Sequence, residues 1–429
     1  MPKNKGVLIS ALVACALMTG CKDDKKETVS IEFMHSSVEQ ERQAIIGKLI
    51  QRFEKENPGI TVKQVPVEED AYNTKITTLA RSGALPEVIE ISHDYAKVMD
   101  KEQLLDRDAV QSVITTLGEN AFYDGILRIV RTEDAKAWTG VPISAWIQGV
   151  WYKKSVLEKA GLQPPHDWQS LLSVASKLND PQHKKYGIAL PTAESVITEQ
   201  AFSQFALSNN ANVFDSNGAI TLNTPQMAEA LTFYQSLAKE TMPGSNNVME
   251  IKDAFMNGAA PMAIYSTYIL PAVYSEGDPK DLGFVVPNQT SPAVYGMITS
   301  LTLTAGQTDV ETDAAKKFVV FMEHAQNAAD WVLMSPGAAL PVIRAVSGTG
   351  SYQDNPVIKA FGDLPAQLIA QYPNMQAFGS VGDKNFSRMG DITGSGALNA
   401  MVNSVTVGNR DVQATLVQSQ KRIEELATH

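Results

Sequence analysis

The sequence predicts an α/β protein of more than one domain, and two features predict it. From Val29 onward, short β-like runs alternate with longer segments of helical periodicity, the pattern of helices laid on largely parallel sheets. The chain has 429 residues, and single cores stop growing near roughly 250–300 residues, so length favours two or three domains. Hydrophobic residues make up 44% and charged residues 19% of the chain, which fills such cores and excludes a disordered tail. The formal charge of −11 argues against a nucleic-acid surface, which needs a concentrated positive field.

Residues 29–34 form the first expected strand. Ser36 and Ser37 stand three residues before Glu39 and Gln40, the capping-box spacing for a helix start. Ile45, Leu49 and Phe53, with Ile46 and Ile50 beside them, then give that helix one apolar face, and Pro58-Gly59 stops it. Residues 60–65 alternate as a strand, 70–82 are helical up to Gly83, and 88–91 are a third strand, giving the order βαβαβ. A second block from Val141 contains helices near 153–160, Trp168–Leu178, 195–207 and 224–239, and strands at 186–190, 261–265 and 282–286. Residues 297–304 read as a strand, 309–324 as a helix, and 411–426 as an amphipathic terminal helix. No internal repeat of 20 to 50 residues is present.

The amino terminus, MPKNKGVLISALVACALMTGC, sets Lys3 and Lys5 before an apolar stretch of about a dozen residues, short of the roughly 20 that cross a membrane. This is a signal-peptide pattern. Met18-Thr19-Gly20-Cys21 resembles a bacterial lipobox, with Met where that pattern prefers Leu. The resemblance implies that Cys21 is acylated and becomes the first mature residue. Cys15 leaves with the signal peptide, so the mature chain carries one cysteine, and acylation accounts for a lone thiol in an oxidising compartment. Two or three acyl chains anchor stably, with the charged run KDDKKET as a tether.

The sequence contains no GxxxxGK[ST], complete GxGxxG, GxSxG or HExxH. Six histidines and two cysteines, widely spread, make no zinc module. His35 and His93 each follow an expected strand and could meet at one rim with Glu39 or Asp94, but a polar contact or packing accounts for them more simply. In open α/β sheets ligands collect at the carboxyl ends of strands. That rule selects residues 34–37, 92–95, 191–194 and 266–268. Aromatic residues also fall at such positions: Tyr95, Trp146, Trp151, Tyr265, Tyr268 and Tyr295. A pyranose ring packs its C–H patches on aromatic faces while its hydroxyls need in-plane donors and acceptors, so a sugar site combines both residue kinds.

Four stretches, RFEKENPGITV from Arg52, TGVPISAWIQGVWYKKSVLEKAGLQPPHDWQSLL from Thr139, DAFMNGAAPMAIYSTYILPAV from Asp253 and AAKKFVVFMEHAQNAADWVLMSPGAALPV from Ala314, carry a resemblance in register. Over residues 29–429 the chain resembles family 1 extracellular solute-binding proteins, the maltose-binding-protein-like receptors of ABC importers. The resemblance implies a periplasmic binding protein-like fold, two α/β lobes joined by three hinge crossings, with a ligand cleft between them. The crossings fall near 140–144, 286–292 and 334–342. After a signal peptide (1–20) and a lipidated tether (21–28), lobe one is 29–141 plus 293–335 and lobe two is 142–292 plus 336–429.

The implied ligand-binding residues are His35, Ser36, Glu39, Asp94 and Tyr95 from lobe one, Trp146, Thr192, Glu194 and Tyr268 from lobe two, and Tyr295 from the returning segment. The family often has Trp at the position of Tyr268 and glycines around Val294-Tyr295-Gly296. The implied role is that of a lipid-anchored, periplasm-facing receptor. It would take a small carbohydrate as a monomer and pass it to a membrane permease driven by a separate ATPase subunit, with no catalysis, cofactor, metal or nucleic acid. Two alternatives stay open. One is a phosphorylated solute or polyamine, for which a cleft arginine such as Arg388, or a carboxylate cage, would speak. The other is an anchored enzyme acting on a glycan through two carboxylates such as Asp94 and Glu194.

Overall fold

The computed structural model describes residues 28–382 and 384–426. The expected signal peptide and Cys21 lie outside the described residues. β1 (Val29–His35), α1 (Gln40–Glu56), β2 (Ile60–Pro66), α2 (Glu69–Ser82) and β3 (Val88–Ser92) follow in the expected order, and α3 (His93–Lys101) leaves β3 without a loop. Ile46, Leu49, Ile50 and Phe53 are the buried face of α1. α2 ends where Gly83 turns left-handed at φ 64° and returns its N–H to the carbonyls of Leu79 and Ala80. The capping box expected at Ser36 and Ser37 does not form. Glu39 is the N-cap, without a side-chain cap, because the Ser36 N–H and hydroxyl both donate to the Glu90 carboxylate, at 2.9 and 3.3 Å.

Four more strands, β4 (Val141–Lys153), β5 (Met262–Ser266), β6 (Leu282–Val285) and β7 (Gly296–Leu303), complete a seven-stranded sheet in the order β2-β1-β3-β7-β4-β5, with β6 also on β4. The expectation of largely parallel sheets is corrected. Only β1 with β2 and β1 with β3 are parallel, while β3–β7, β7–β4, β4–β5 and β4–β6 are antiparallel. Parallel neighbours need a crossover of a dozen or more residues, and α1 and α2 supply one only between the first three strands.

The strand expected at 186–190 shrinks to a single bridge between Ala189 and Ala263. Its amides are engaged elsewhere: Tyr186 donates to the Ala259 carbonyl and Gly187 and Ile188 to that of Glu240. Gly187 also lies so close to the neighbouring helix that a Cβ there would sit 1.9 Å from the Ala175 carbonyl oxygen. The other second-block elements fall within a residue or two of expectation: Lys154–Lys159, Trp168–Leu178, Val196–Ser208 and Pro225–Leu237. The helix expected to end at 324 stops at Met322, and His324 caps the next one, Ala325–Val332.

β4 was not legible as a strand of 13 residues. Its first half pairs with β7 from Val141 to Ile147. Its second half pairs with β5 from Gln148 to Tyr152 and with β6 from Val150 to Lys153. Gly149 lies in the second half because a Cβ there would meet the Phe284 ring at 2.4 Å. Trp151, offered by sequence as a possible sugar platform, is fully buried. Its indole N–H donates to the Tyr265 carbonyl at 2.7 Å and its ring lies 4.7 Å from Phe284. One apolar core gathers Phe33, Phe53 and Phe318 in edge contacts at 5.4 and 5.2 Å. A second centres on Phe202, Phe205 and Tyr234.

Trp151→Ala is expected to lower unfolding free energy by about 3–5 kcal/mol, the usual cost of emptying a large core site. Trp151→Phe, which keeps most of the volume and loses the hydrogen bond to Tyr265, should cost less than half of that. Denaturant titrations of both variants check the order.

Candidate functional site

The carboxyl ends of β1, β2 and β3 come to one edge because the three are parallel and in register, His35 opposite Pro66 and Met34 opposite Ile89. The loops leaving them carry Ser36, Ser37 and Glu39, then Glu68 and Glu69, then Ser92 and α3. Across from that edge stand Ser144, Trp146 and Gln148, every second residue of β4 and therefore on one face, with Tyr265, Ser266 and Tyr268 from the end of β5. Together they enclose a cleft of about 770 Å³, within the ordinary range for small-molecule sites.

Its walls differ in chemistry. One carries Glu39, Glu68, Glu69 and Glu90, with Arg42 as the single basic lining side chain and the Trp331 ring 6.1 Å from Phe33 of β1, and the other carries Trp146, Tyr265 and Tyr268. Burial raises the Glu90 carboxyl, against the pull of its two hydrogen bonds from Ser36. The Tyr72 hydroxyl donates to the Met34 carbonyl at 2.9 Å, and Arg42 donates to the Ser335 hydroxyl at 2.6 Å. Gln148 donates to the Gln200 carbonyl at 3.2 Å.

Val196 and Gln200 line the cleft and also a second, inner cavity of about 50 Å³. Here α3 presents His93, Asp94 and Lys97 to Glu199 and Ser203 of the helix Val196–Ser208, and Tyr295 and Thr393 close the space. Burial pushes Glu199 up to about 7, Lys97 down to about 8 and His93 down to about 3.

The residues selected from sequence distribute as follows. Ser36, Glu39, Trp146 and Tyr268 line the cleft, and Asp94 and Tyr295 line the inner cavity. The Trp146 and Tyr295 rings are 5.8 Å apart, joining the two spaces. Four others line neither. His35 is fully buried beneath the rim, its Nε2 3.2 Å from the Gln64 side-chain oxygen. Tyr95 turns its hydroxyl to Thr77 and the Asn73 carbonyl. Thr192 is buried, donating to the Gly244 carbonyl and accepting from the Asn246 N–H. Glu194 is exposed. His93 accepts from the Ile298 N–H through Nδ1, and among the described residues no three His, Cys, Asp or Glu side chains are grouped to hold a metal. Arg388 stacks on Phe214 at 5.2 Å and donates to the Gly218 carbonyl, and it lines neither cavity.

Sequence reasoning missed Arg42, Glu90, Gln148, Glu199 and Trp331. Gln148 was recoverable from its alternation with Ser144 and Trp146; the others sit within elements, where position along the chain says nothing about which cavity they meet.

A sheet whose strand ends and returning segments surround one deep cleft defines the periplasmic-binding-protein class, two α/β lobes joined by three crossings. Residues 36–329 match the family model described as bacterial extracellular solute-binding protein, and the chain belongs to that family. It is 71% identical over 426 residues, 99% of both chains, to the Escherichia coli K12 protein named "Putative ABC transporter periplasmic-binding protein YcjN". Its fold is that of the sugar-binding protein MalE of Xanthomonas citri, with TM-score 0.76 at 18% identity over 93% of this chain and 97% of that one. A Thermotoga lettingae ABC transporter solute-binding protein bound with α-D-tagatose gives TM-score 0.72 at 18% identity over 93% and 99%. Among the described residues no helix is long and apolar enough to cross a membrane.

Because the folded state keeps the Glu199 proton up to about pH 7 and the unfolded chain releases it near the ordinary carboxylate value, this group destabilises the fold increasingly as pH rises between those values. Glu199→Gln is therefore expected to be more stable than wild type at pH 7.5, by on the order of 3 kcal/mol at most, and so to melt higher, with the difference vanishing near pH 4.5. Melting curves across that window check it.

Proposed function

We propose that this chain is the receptor of an ABC importer that captures a carbohydrate in the cleft and delivers it to a membrane permease. The observation that carries the reading is the pairing of an aromatic wall with a wall of carboxylates across the cleft, the two surfaces that ring C–H patches and hydroxyls require. The name of MalE and the tagatose held by the Thermotoga protein support it.

On this reading the lobes are 29–141 plus 293–335 and 142–292 plus 336–429, and a solute touching both walls gains its full contacts only when they close, so closure is what the permease reads. ATP hydrolysis belongs to a separate subunit, in keeping with the missing P-loop. Cys21 carries the acyl anchor that holds the receptor at the membrane, facing the periplasm. A phosphorylated solute is disfavoured by four carboxylates against one guanidinium that is already held by Ser335. The same four carboxylates favour a second reading, a polyamine. A glycan-acting enzyme using Asp94 and Glu194 finds no support, since Glu194 lines neither cavity.

In a thermal-shift panel of neutral sugars, polyols, spermidine and glycerol phosphate, one neutral sugar or polyol is expected to raise the melting temperature saturably. Trp146→Ala and Tyr268→Ala should each weaken it about tenfold or more. A response to spermidine alone would move the assignment to the polyamine reading. Replacement of Cys21 by Ala is expected to shift the protein from the membrane to the soluble fraction on fractionation, and a variant that stays with the membrane would overturn the anchor.

A further inference from the structure

The inner cavity brings Asp94, Lys97 and Glu199 together with no hydrogen bond or salt bridge among the three. Glu199 is 6% exposed; one carboxylate oxygen accepts from the Thr393 hydroxyl at 2.6 Å and the other, Oε2, is buried with no partner. Lys97 is 7% exposed, and among the described residues its ammonium is in no hydrogen bond or ion pair. Asp94, on the turn before it, accepts only the Tyr95 N–H. Leaving a carboxyl oxygen buried without a partner is costly unless something else completes its hydrogen bond.

The space they border, about 50 Å³, fits a hydroxyl-bearing carbon or two. A hydroxyl suits it in both senses, since its oxygen accepts from the Lys97 ammonium while its hydrogen donates to Glu199 or Asp94. An anionic group would face the Asp94 carboxylate beside a Glu199 that burial already keeps from ionising, and an apolar one would leave the Glu199 Oε2 and the Lys97 ammonium unmet. The cavity shares Val196 and Gln200 with the main cleft, and Tyr295, which lines it, lies 5.8 Å from the Trp146 ring. A solute held in the cleft would extend one end into it past Val196 and Gln200.

We propose that the inner cavity is the specificity pocket of the receptor, taking an unsubstituted, neutral end of the solute through adjacent hydroxyls, with Lys97 and Glu199 as the specificity-determining residues. This rests on the carbohydrate reading. It adds which end of the solute is read, and by which side chains.

The test uses the full-length chain with D-glucose, D-tagatose, D-mannitol, ribitol and maltose as probes. The dissociation constant is measured by calorimetry for each probe that shifts the melting temperature and for its single-deoxy analogues. Lys97→Met and Glu199→Gln, on two different helices, are each expected to weaken the parent solute about 30-fold or more. Both should also erase the wild-type penalty for the same one or two deoxy positions, so that parent and analogue bind within threefold. Trp146→Ala should weaken parent and analogues alike and keep the penalty. A generally loosened site would lower all affinities in proportion, so the deoxy ratio separates reading a hydroxyl from holding the fold. If the wild type binds a probe and both variants keep its deoxy penalties, the pocket assignment falls and the carbohydrate reading stands. If the wild type binds none of the probes, the carbohydrate reading falls and takes the pocket with it.

Discussion

One strand carries two sets of hydrogen bonds, and the architecture depends on it. β4 pairs along its first half with β7 and along its second with β5 and β6, so a single extended segment fastens the β2-β1-β3-β7 half of the sheet to the rest. A strand rises about 3.3 Å per residue. Thirteen residues therefore span both halves and leave the middle of the strand at their junction. Trp146 and Gln148 sit there, one on each side of the change of partner. The same continuity explains why Gly149 and Trp151 are needed just beyond it: one admits the Phe284 ring and the other anchors the strand to β5 through the Tyr265 carbonyl.

The cleft is a consequence of that junction. Parallel β1, β2 and β3 present their carboxyl ends together, which concentrates loop residues, and the antiparallel partners present aromatic side chains from the other side. Glu90 is the pivot of the acidic wall, because its carboxylate takes both the amide and the hydroxyl of Ser36 and so fixes the loop that carries Glu39. Arg42 ties that loop's helix to Ser335, at the segment that returns between the halves. Polar groups at the cleft are thus arranged by other polar groups, whereas in the inner cavity the second Glu199 oxygen, Oε2, is buried with no partner. Buried titratable groups perturbed by their surroundings cluster at functional sites, which is why Lys97 and Glu199 weigh more in the reading of this site than the more exposed carboxylates at its rim.

The strand ends that gather at the cleft could be picked from the sequence, since the rule depends only on where a strand stops. It placed Ser36 and Tyr268 at the cleft and Asp94 at the inner cavity, while the aromatic positions and the family resemblance added Glu39 and Trp146 at the cleft and Tyr295 at the inner cavity. It failed for His35, whose side chain points beneath the rim rather than across it, because alternation along β1 turns that residue into the core. It failed for Thr192, whose hydroxyl closes its own loop onto residues 244–246.

By itself the sequence determined the kinds of element and their order, the interior faces of the helices, and the family. These follow from local periodicity, turn chemistry and landmarks in register, all of which are properties of neighbouring residues. Only the tertiary structure decided that the sheet is mixed, that β4 has two sets of partners, and that Lys97 and Glu199, about a hundred positions apart, share one small space. Strand pairing and side-chain convergence are contacts between distant segments, and their free energy is set by geometry that no local window of the chain contains.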